Sequence, residues 1–198
     1  MFALRLVFGC LLLLTSMQLF AEPVTLTFNE LSSRPVNGVS IAGVTFGYSI
    51  NGQASTLAVY GATIPGNTAN VQSPALVGST QGILTMDFAG ITNALSFGIA
   101  FNSFNTLSPG LTIQLFDGSL NLIRSTNVTT LATNSFTGAL FSQSNTQISR
   151  VVVTFNQNVS TFALDNLSFN AVPEPAALIL LGSGLAVLAA LTKQRKRK

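Results

Sequence analysis

Between residues 22 and 171 apolar and polar side chains alternate with a period of two, in one short stretch after another. Val24, Leu26 and Phe28 interleave with Thr25, Thr27 and Asn29. Val44, Phe46, Tyr48 and Ile50 repeat the pattern, then Leu84, Met86 and Phe88 against Thr85 and Asp87, then Leu95, Phe97, Ile99 and Phe101. Such alternation puts one face of a strand in a core and the other in water. Leu111 to Phe116 and Ser119 to Ile123 flank Asp117-Gly118, which predicts a hairpin with a tight turn. Further strands are expected near Ser135 to Phe141, Ile148 to Phe155 and Thr161 to Phe169, joined by Thr, Ser, Asn and Gly, and no window carries a helical stripe. Many short strands at this spacing predict an all-β, jelly-roll-like β-sandwich.

The pattern breaks at both ends. Met1 to Arg5 carries one positive charge, Leu6 to Leu14 is apolar and Thr15 to Ala21 is more polar, the form of a cleavable signal peptide over residues 1–21. Leu6 to Leu14 is too short to span a bilayer, and Cys10, the chain's one cysteine, lies inside it. At the other end Val172-Pro-Glu-Pro175 precedes Ala176 to Thr192, which has no charge, and Lys193 to Lys198, which has five. An apolar helix of this length is the short end of what crosses a bilayer, and a basic cluster behind it stays on the cytoplasmic side. Pro173 and Pro175 force an extended, non-helical segment just outside the membrane. The chain therefore divides into a signal peptide, a body over 22–171 and a tail over 172–198.

This tail resembles the PEP-CTERM sorting signal of Gram-negative bacteria. The resemblance implies that Pro173, Glu174 and Pro175 form a recognition element, that Ala176 to Thr192 is a transient membrane stop and that Lys193 to Lys198 holds the end in the cytoplasm. It also implies partners: the secretion translocon, the membrane in the precursor, and an exosortase, a membrane-embedded cysteine peptidase that cuts near the motif. These are a substrate's roles.

Charge narrows the function of the body. The formal net charge of +3 belongs to the ends, since the body holds five acids (Glu22, Glu30, Asp87, Asp117, Asp165) against three arginines (Arg34, Arg124, Arg150). No basic patch exists for nucleic acid. The chain has no histidine, which excludes Ser-His-Asp and Cys-His sites, histidine-bound zinc and histidine acid-base catalysis. Without cysteine the body rests on burial for stability, and without tryptophan it lacks the strongest stacking platform for sugars. The scattered glycines open no helix and cradle no phosphate. Asn-x-Ser/Thr triplets begin at Asn127, Asn158 and Asn166, a frequency that so Asn- and Thr-rich a sequence reaches by chance.

One pair of acids stands out. Glu30 shares the parity of Val24, Leu26 and Phe28, so in a regular strand its carboxylate points inward. Phe162 and Leu164 share one parity and Leu167 and Phe169 the other, which predicts a bulge at Asp165-Asn166 and turns Asp165 inward as well. Two inward carboxylates at the two ends of a sandwich invite a hard cation with oxygen ligands, calcium; the plain alternative is two hydrated strand-end acids. Phe28-Asn-Glu-Leu31, Gly43-Val-Thr-Phe46 and Phe162-Ala-Leu-Asp-Asn-Leu-Ser-Phe169 resemble jelly-roll domains of PEP-CTERM proteins and carbohydrate-binding modules, a resemblance that implies a structural calcium between first and last strands. No other cofactor is expected.

Two functions fit. One is a non-catalytic protein of the cell surface or extracellular matrix, inserted in the inner membrane as a precursor, then clipped and held in exopolysaccharide by its Thr/Ser/Asn faces; permanent anchoring is a variant. The other is an enzyme acting on extracellular polysaccharide, which needs two carboxylates in a cleft. With Asp117 in a turn, Asp87 facing outward, and Glu30 and Asp165 suited to a structural site, no catalytic pair is left.

Overall fold

Alternating Val, Ile, Phe and Tyr bounded by Gly and Asn favours short paired strands over helices. The computed structural model describes residues 22–64, 66, 68–133 and 136–171, and all twelve elements in them are β-strands. The signal peptide and the sorting tail lie outside the described residues. The strands are β1 (Glu22–Leu26), β2 (Arg34–Pro35), β3 (Ser40–Ile41), β4 (Val44–Ile50), β5 (Gln53–Ala54), β6 (Ala58–Ala62), β7 (Ala75–Ser79), β8 (Ile83–Phe101), β9 (Leu107–Phe116), β10 (Leu122–Ala132), β11 (Thr137–Phe155) and β12 (Thr161–Ala171). Every pairing between them is antiparallel.

Two of these strands are 19 residues long, and they build the sandwich by running through both of its layers. Ile83 to Phe88 of β8 pairs with β4 on one side and with β11 on the other, and β11 continues to β9 and β10. Beyond the bend, Leu95 to Phe101 of β8 pairs with the first half of β11 and with β12, which leads on to β7, β6 and β2. Buried positions mark the change of layer: Leu84 and Met86 face the core before it, Leu95, Phe97, Ile99 and Phe101 after it. The partner strand makes the same turn through register shifts between Ser144, Ile148 and Arg150.

Aromatic rings join the layers. Phe155 of β11 stacks on Phe162 of β12 with centroids 3.8 Å apart, Tyr48 of β4 lies 6.4 Å from Phe162, and Phe101 of β8 meets Phe155 edge-on. Phe28, Phe46 and Tyr60 form a second cluster and Phe88 with Phe169 a third contact. The main core is one large hydrophobic cluster with these rings at its centre, so a chain without cysteines in its body holds together by burial.

Three expectations need correcting. The Asp117-Gly118 hairpin closes through residues 117–121, because Asp117 Oδ1 accepts the amides of Ser119 and Asn121 and Leu120 takes the left-handed conformation. The runs at Leu84 to Phe88 and Leu95 to Phe101 are one strand, not two, and so are those expected near Ser135 to Phe141 and at Ile148 to Phe155, which join in β11. The first strand ends at Leu26, since Phe28 adopts φ 61°; parity is lost there, and Glu30 sits at the surface.

Candidate functional site

β1 and β12 lie side by side, Leu26 opposite Leu167 and Val24 opposite Phe169, which brings the segments bearing Glu30 and Asp165 together. The bulge expected in β12 is present: β8 pairing shifts register between Asp165 and Ser168, and Asn166 has φ 54°. The expected direction needs correcting: Asp165 does not turn into the core but keeps the parity of Ala163, opposite Gly98 on the outer face, where residues 68–74, a strap between β6 and β7 that crosses the outside of the second layer, cover it. Asp165 is 3% exposed. Its Oδ2 accepts the Gln72 amide at 2.9 Å, and its Oδ1 accepts the Asn166 amide at 2.7 Å. Asn166 Nδ2 donates to Asp165 Oδ2 and to the carbonyl of Asn70. Burial raises the Asp165 pKa, the two amides lower it, and the nearby charge of Glu30 raises it again; the net direction is upward.

Glu30 stands in a loop that the left-handed Phe28 starts. Its Oε1 accepts the Thr27 amide at 2.7 Å and the Thr27 hydroxyl at 3.2 Å, and its Oε2 accepts the Tyr60 hydroxyl at 2.5 Å. Partial burial pushes this carboxyl up, but the Tyr60 and Thr27 hydrogen bonds outweigh it and leave the pKa below the ordinary carboxylate value. Tyr60 in turn is pushed far up by burial and by Glu30. Gly61, with φ 68°, gathers the carbonyls of Phe28 and Leu31 against its Cα, where an added Cβ would lie 3.1 and 3.2 Å from them; these are main-chain oxygens beside the Glu30 loop.

Calcium takes six to eight oxygens, several of which are commonly carbonyls or waters. A carboxylate accepts about four hydrogen bonds; the bonds above fill three positions on Asp165, whereas Glu30 also accepts its own main-chain amide beside the Thr27 and Tyr60 bonds, so a cation there would have to displace one of them. No group of three or more Asp, Glu, His or Cys that would hold a metal occurs among the described residues. The donor set therefore fits a cation only with main-chain and water ligands completing it.

The other acids go elsewhere. Asp87 and Arg150 form an ion pair through Oδ1 and Nε on the outside of the first layer, with side chains 40% and 38% exposed, and the Asp87 hydrogen bond raises the Arg150 pKa. Asp117 holds its own loop, and hydrogen bonds from Asn121 keep its carboxyl below the ordinary value. Around the Asp87–Arg150 pair the outer face of the first layer is mostly polar, interrupted by Phe116 and Val152: one row of the ladder runs Thr45, Asp87, Arg150 and Phe116, the next Thr85, Val152, Gln114 and Ser125, with Thr112 bonded to Asn127 beyond.

Sequence reasoning missed the strap and what it makes. Gly98 of β8 lies directly beneath it, so close that a Cβ there would sit 1.9 Å from the Asn70 carbonyl oxygen. Val71, Ala75, Ala100 and Ala163 form a small second core under the strap, and a cavity of about 70 Å³ opens beside it between Ile64, Thr68 and Phe136. The available signal was the small-residue parity of Ala94, Ser96, Gly98 and Ala100, which marks a sheet face approached closely by other backbone.

Residues 171–196 match the PEP-CTERM protein-sorting motif, so Pro173, Glu174 and Pro175 belong to a recognised sorting signal, outside the described residues. No curated protein matches the chain. Among solved structures the chain is similar to a variant of the family 29 carbohydrate-binding module CBM29-2 (9% identity, 76% of this chain and 93% of that one, TM-score 0.41). It is also similar to the family 22 carbohydrate-binding module of Clostridium thermocellum Xyn10B (14% identity, 80% and 98%, TM-score 0.41) and to the K2 cleaved adhesin domain of Lys-gingipain (11% identity, 75% and 99%, TM-score 0.44).

Proposed function

We propose that this protein is an exported, non-catalytic component of the cell surface or extracellular matrix, handed to an exosortase by its C-terminal signal and held among exopolysaccharide by its β-sandwich. The observation that carries the reading is the sorting motif at residues 171–196 directly behind a folded all-β body. The precursor is taken to cross the translocon by its signal peptide and to rest in the inner membrane through Ala176 to Thr192 until it is cut. The polar face around Asp87 and Arg150 is the surface we assign to glycan contact, because hydroxyl and amide groups on a nearly neutral sheet suit a neutral polyhydroxyl chain. Glu30 and Asp165 are assigned to a structural calcium that ties the first strand to the last, with no catalytic residues and no other cofactor. Intact-mass measurement on the protein recovered from the producing cell's surface or medium tests the reading: it should lack residues 1–21 and the Lys193 to Lys198 end. Recovery of extracellular protein with that end attached would replace it with permanent anchoring.

A further inference from the structure

The folded body ends at the very threshold of its sorting motif. Ala171, the last residue of β12, is opposite Glu22, the first of β1, and Asn170 is opposite Pro23. Only Val172 separates this ladder from Pro173. From Ala171 to Ala176, where the apolar run begins, the chain at full extension covers about 17 Å. The headgroup layer takes up roughly 5 to 8 Å of that, leaving about 10 Å, the thickness of a single helix. A peptidase cleft must bind several extended residues on each side of the bond it breaks, and a closed body leaves it too little room.

We propose that the β1–β12 ladder end is a specificity determinant of the sorting cleavage: the peptidase accepts the chain only when the last rungs are open. This rests on the reading of the tail as an exosortase substrate. The reaction is hydrolysis of one backbone amide near the motif, water supplying the hydroxyl of the body's new carboxylate and the proton of the tail's new amine. The ladder is built to open at this end. β1 pairs with β12 alone, and because the Asn170 amide points away from β1, the Pro23–Asn170 pair exchanges no ladder hydrogen bond and Pro23 turns its N–H-less side to solvent. What holds Asn170 is polar: its amide donates to Thr92 Oγ1 at 3.1 Å and its Nδ2 to Asn93 Oδ1 at 2.8 Å. The next residue inward, Phe169, is 2% exposed and packs on Phe88 at 5.0 Å, so opening stops there. Freeing Asn170 and Ala171 lengthens the reach by about 7 Å. Cleavage then follows the population of the open end.

The test uses the full-length precursor in its producing cell, followed by pulse-chase with mass identification of the processed form. Pro23→Cys with Asn170→Cys places two cysteines on opposed antiparallel positions, where Cα separations of about 4.5 to 5.5 Å suit a disulfide. Export to an oxidising compartment closes it; Cys10, in the expected signal peptide, is the chain's only native thiol. The linked precursor should accumulate at the surface uncut, and added reductant should release it, while each single cysteine variant is processed normally. Inserting Gly-Ser-Gly-Ser after Ala171 should do the reverse and speed processing several-fold. Wild-type rates for both the linked chain and the insertion would overturn this inference while leaving the sorting reading standing. A wild-type protein that keeps its basic tail would overturn both.

Discussion

Replacing Gly98 by Ala tests whether the strap over the second layer is what keeps Asp165 buried. The added Cβ would stand 1.9 Å from the Asn70 oxygen and 2.7 Å from its carbonyl carbon, both main chain, so no side-chain rotation relieves the clash. Overpacking of this kind costs about 1 to 3 kcal/mol when the surroundings shift. If the strap lifts instead, the Gln72 amide leaves Asp165, the loss of one hydrogen bond to a charged group, about 1.5 to 3 kcal/mol. Either route destabilises by about 1 to 3 kcal/mol, which lowers Tm by roughly 2 to 12 °C for a domain of this size. Thermal unfolding by circular dichroism measures the total, and hydrogen exchange at Gln72 separates the routes, since only lifting unprotects that amide. Gly118→Ala is the control: nothing lies within 4 Å of its Cβ position, so its Tm should stay within about 2 °C of wild type, the surface-substitution range. A Gly98→Ala protein with wild-type Tm and a protected Gln72 amide would show that the strap is not seated on the sheet as described.

Calcium at about one hundred times its Kd should raise stability by about 2.7 kcal/mol and chelator should reverse it; identical melting curves in calcium and chelator would leave Glu30 and Asp165 as ordinary acids. Asp165→Asn should abolish that response, and in chelator it should cost stability as well, because an amide NH2 turned toward the Gln72 or Asn166 N–H replaces an acceptor with a donor. Tyr60→Phe should lower stability by about 1 kcal/mol at neutral pH and shift the acid limb of unfolding. Glu30 has a lowered pKa in the folded protein, so its contribution is present above its ordinary value of 4.5 and is lost as pH falls through the folded value. Without the Tyr60 hydroxyl part of that contribution is already gone at pH 7, and an acid limb identical to wild type would contradict the assignment. Glu174→Ala should leave the precursor in the membrane, and unchanged release would make residues 173–175 an incidental linker.

The period-two pattern gave the correct class and the inward sets of β4, β8 and β9, because burial on one face is a local property that sequence records directly. It located the Asp165 bulge for the same reason: a change of parity between Leu164 and Leu167 has few other causes. Glu30 escaped because parity reasoning assumes a regular strand, and the left-handed Phe28 ends the strand while keeping its own side chain in the core. Nothing local distinguishes that residue from the next phenylalanine. The strap escaped because its contacts are long-range: Gln72 meets Asp165 across 93 positions, and each segment alone reads as an ordinary polar loop. The joining of the β8 runs was hidden by the stretch through Gly90 and Thr92, which reads as a turn until the bend between layers gives it a use.

Glu30 and Asp165 have their pKa values pushed in opposite directions, the arrangement by which one carboxyl serves as acid and another as base. The geometry argues for a different use here. An acid catalyst has to touch the leaving atom, and Asp165 is covered by the strap, with both oxygens already accepting hydrogen bonds from Gln72 and Asn166. Lifting the strap to admit a sugar would also hydrate Asp165 and remove the burial that raises its pKa, so access and activation exclude each other. The proposed small cation would face no such conflict, because it would need no room for a sugar and would relieve the repulsion that Glu30 exerts on Asp165. The raised pKa of Asp165 therefore reads first as the cost of burying its carboxyl under the strap, with the charge of Glu30 adding to it, and it belongs to the join between the last strand and the strap.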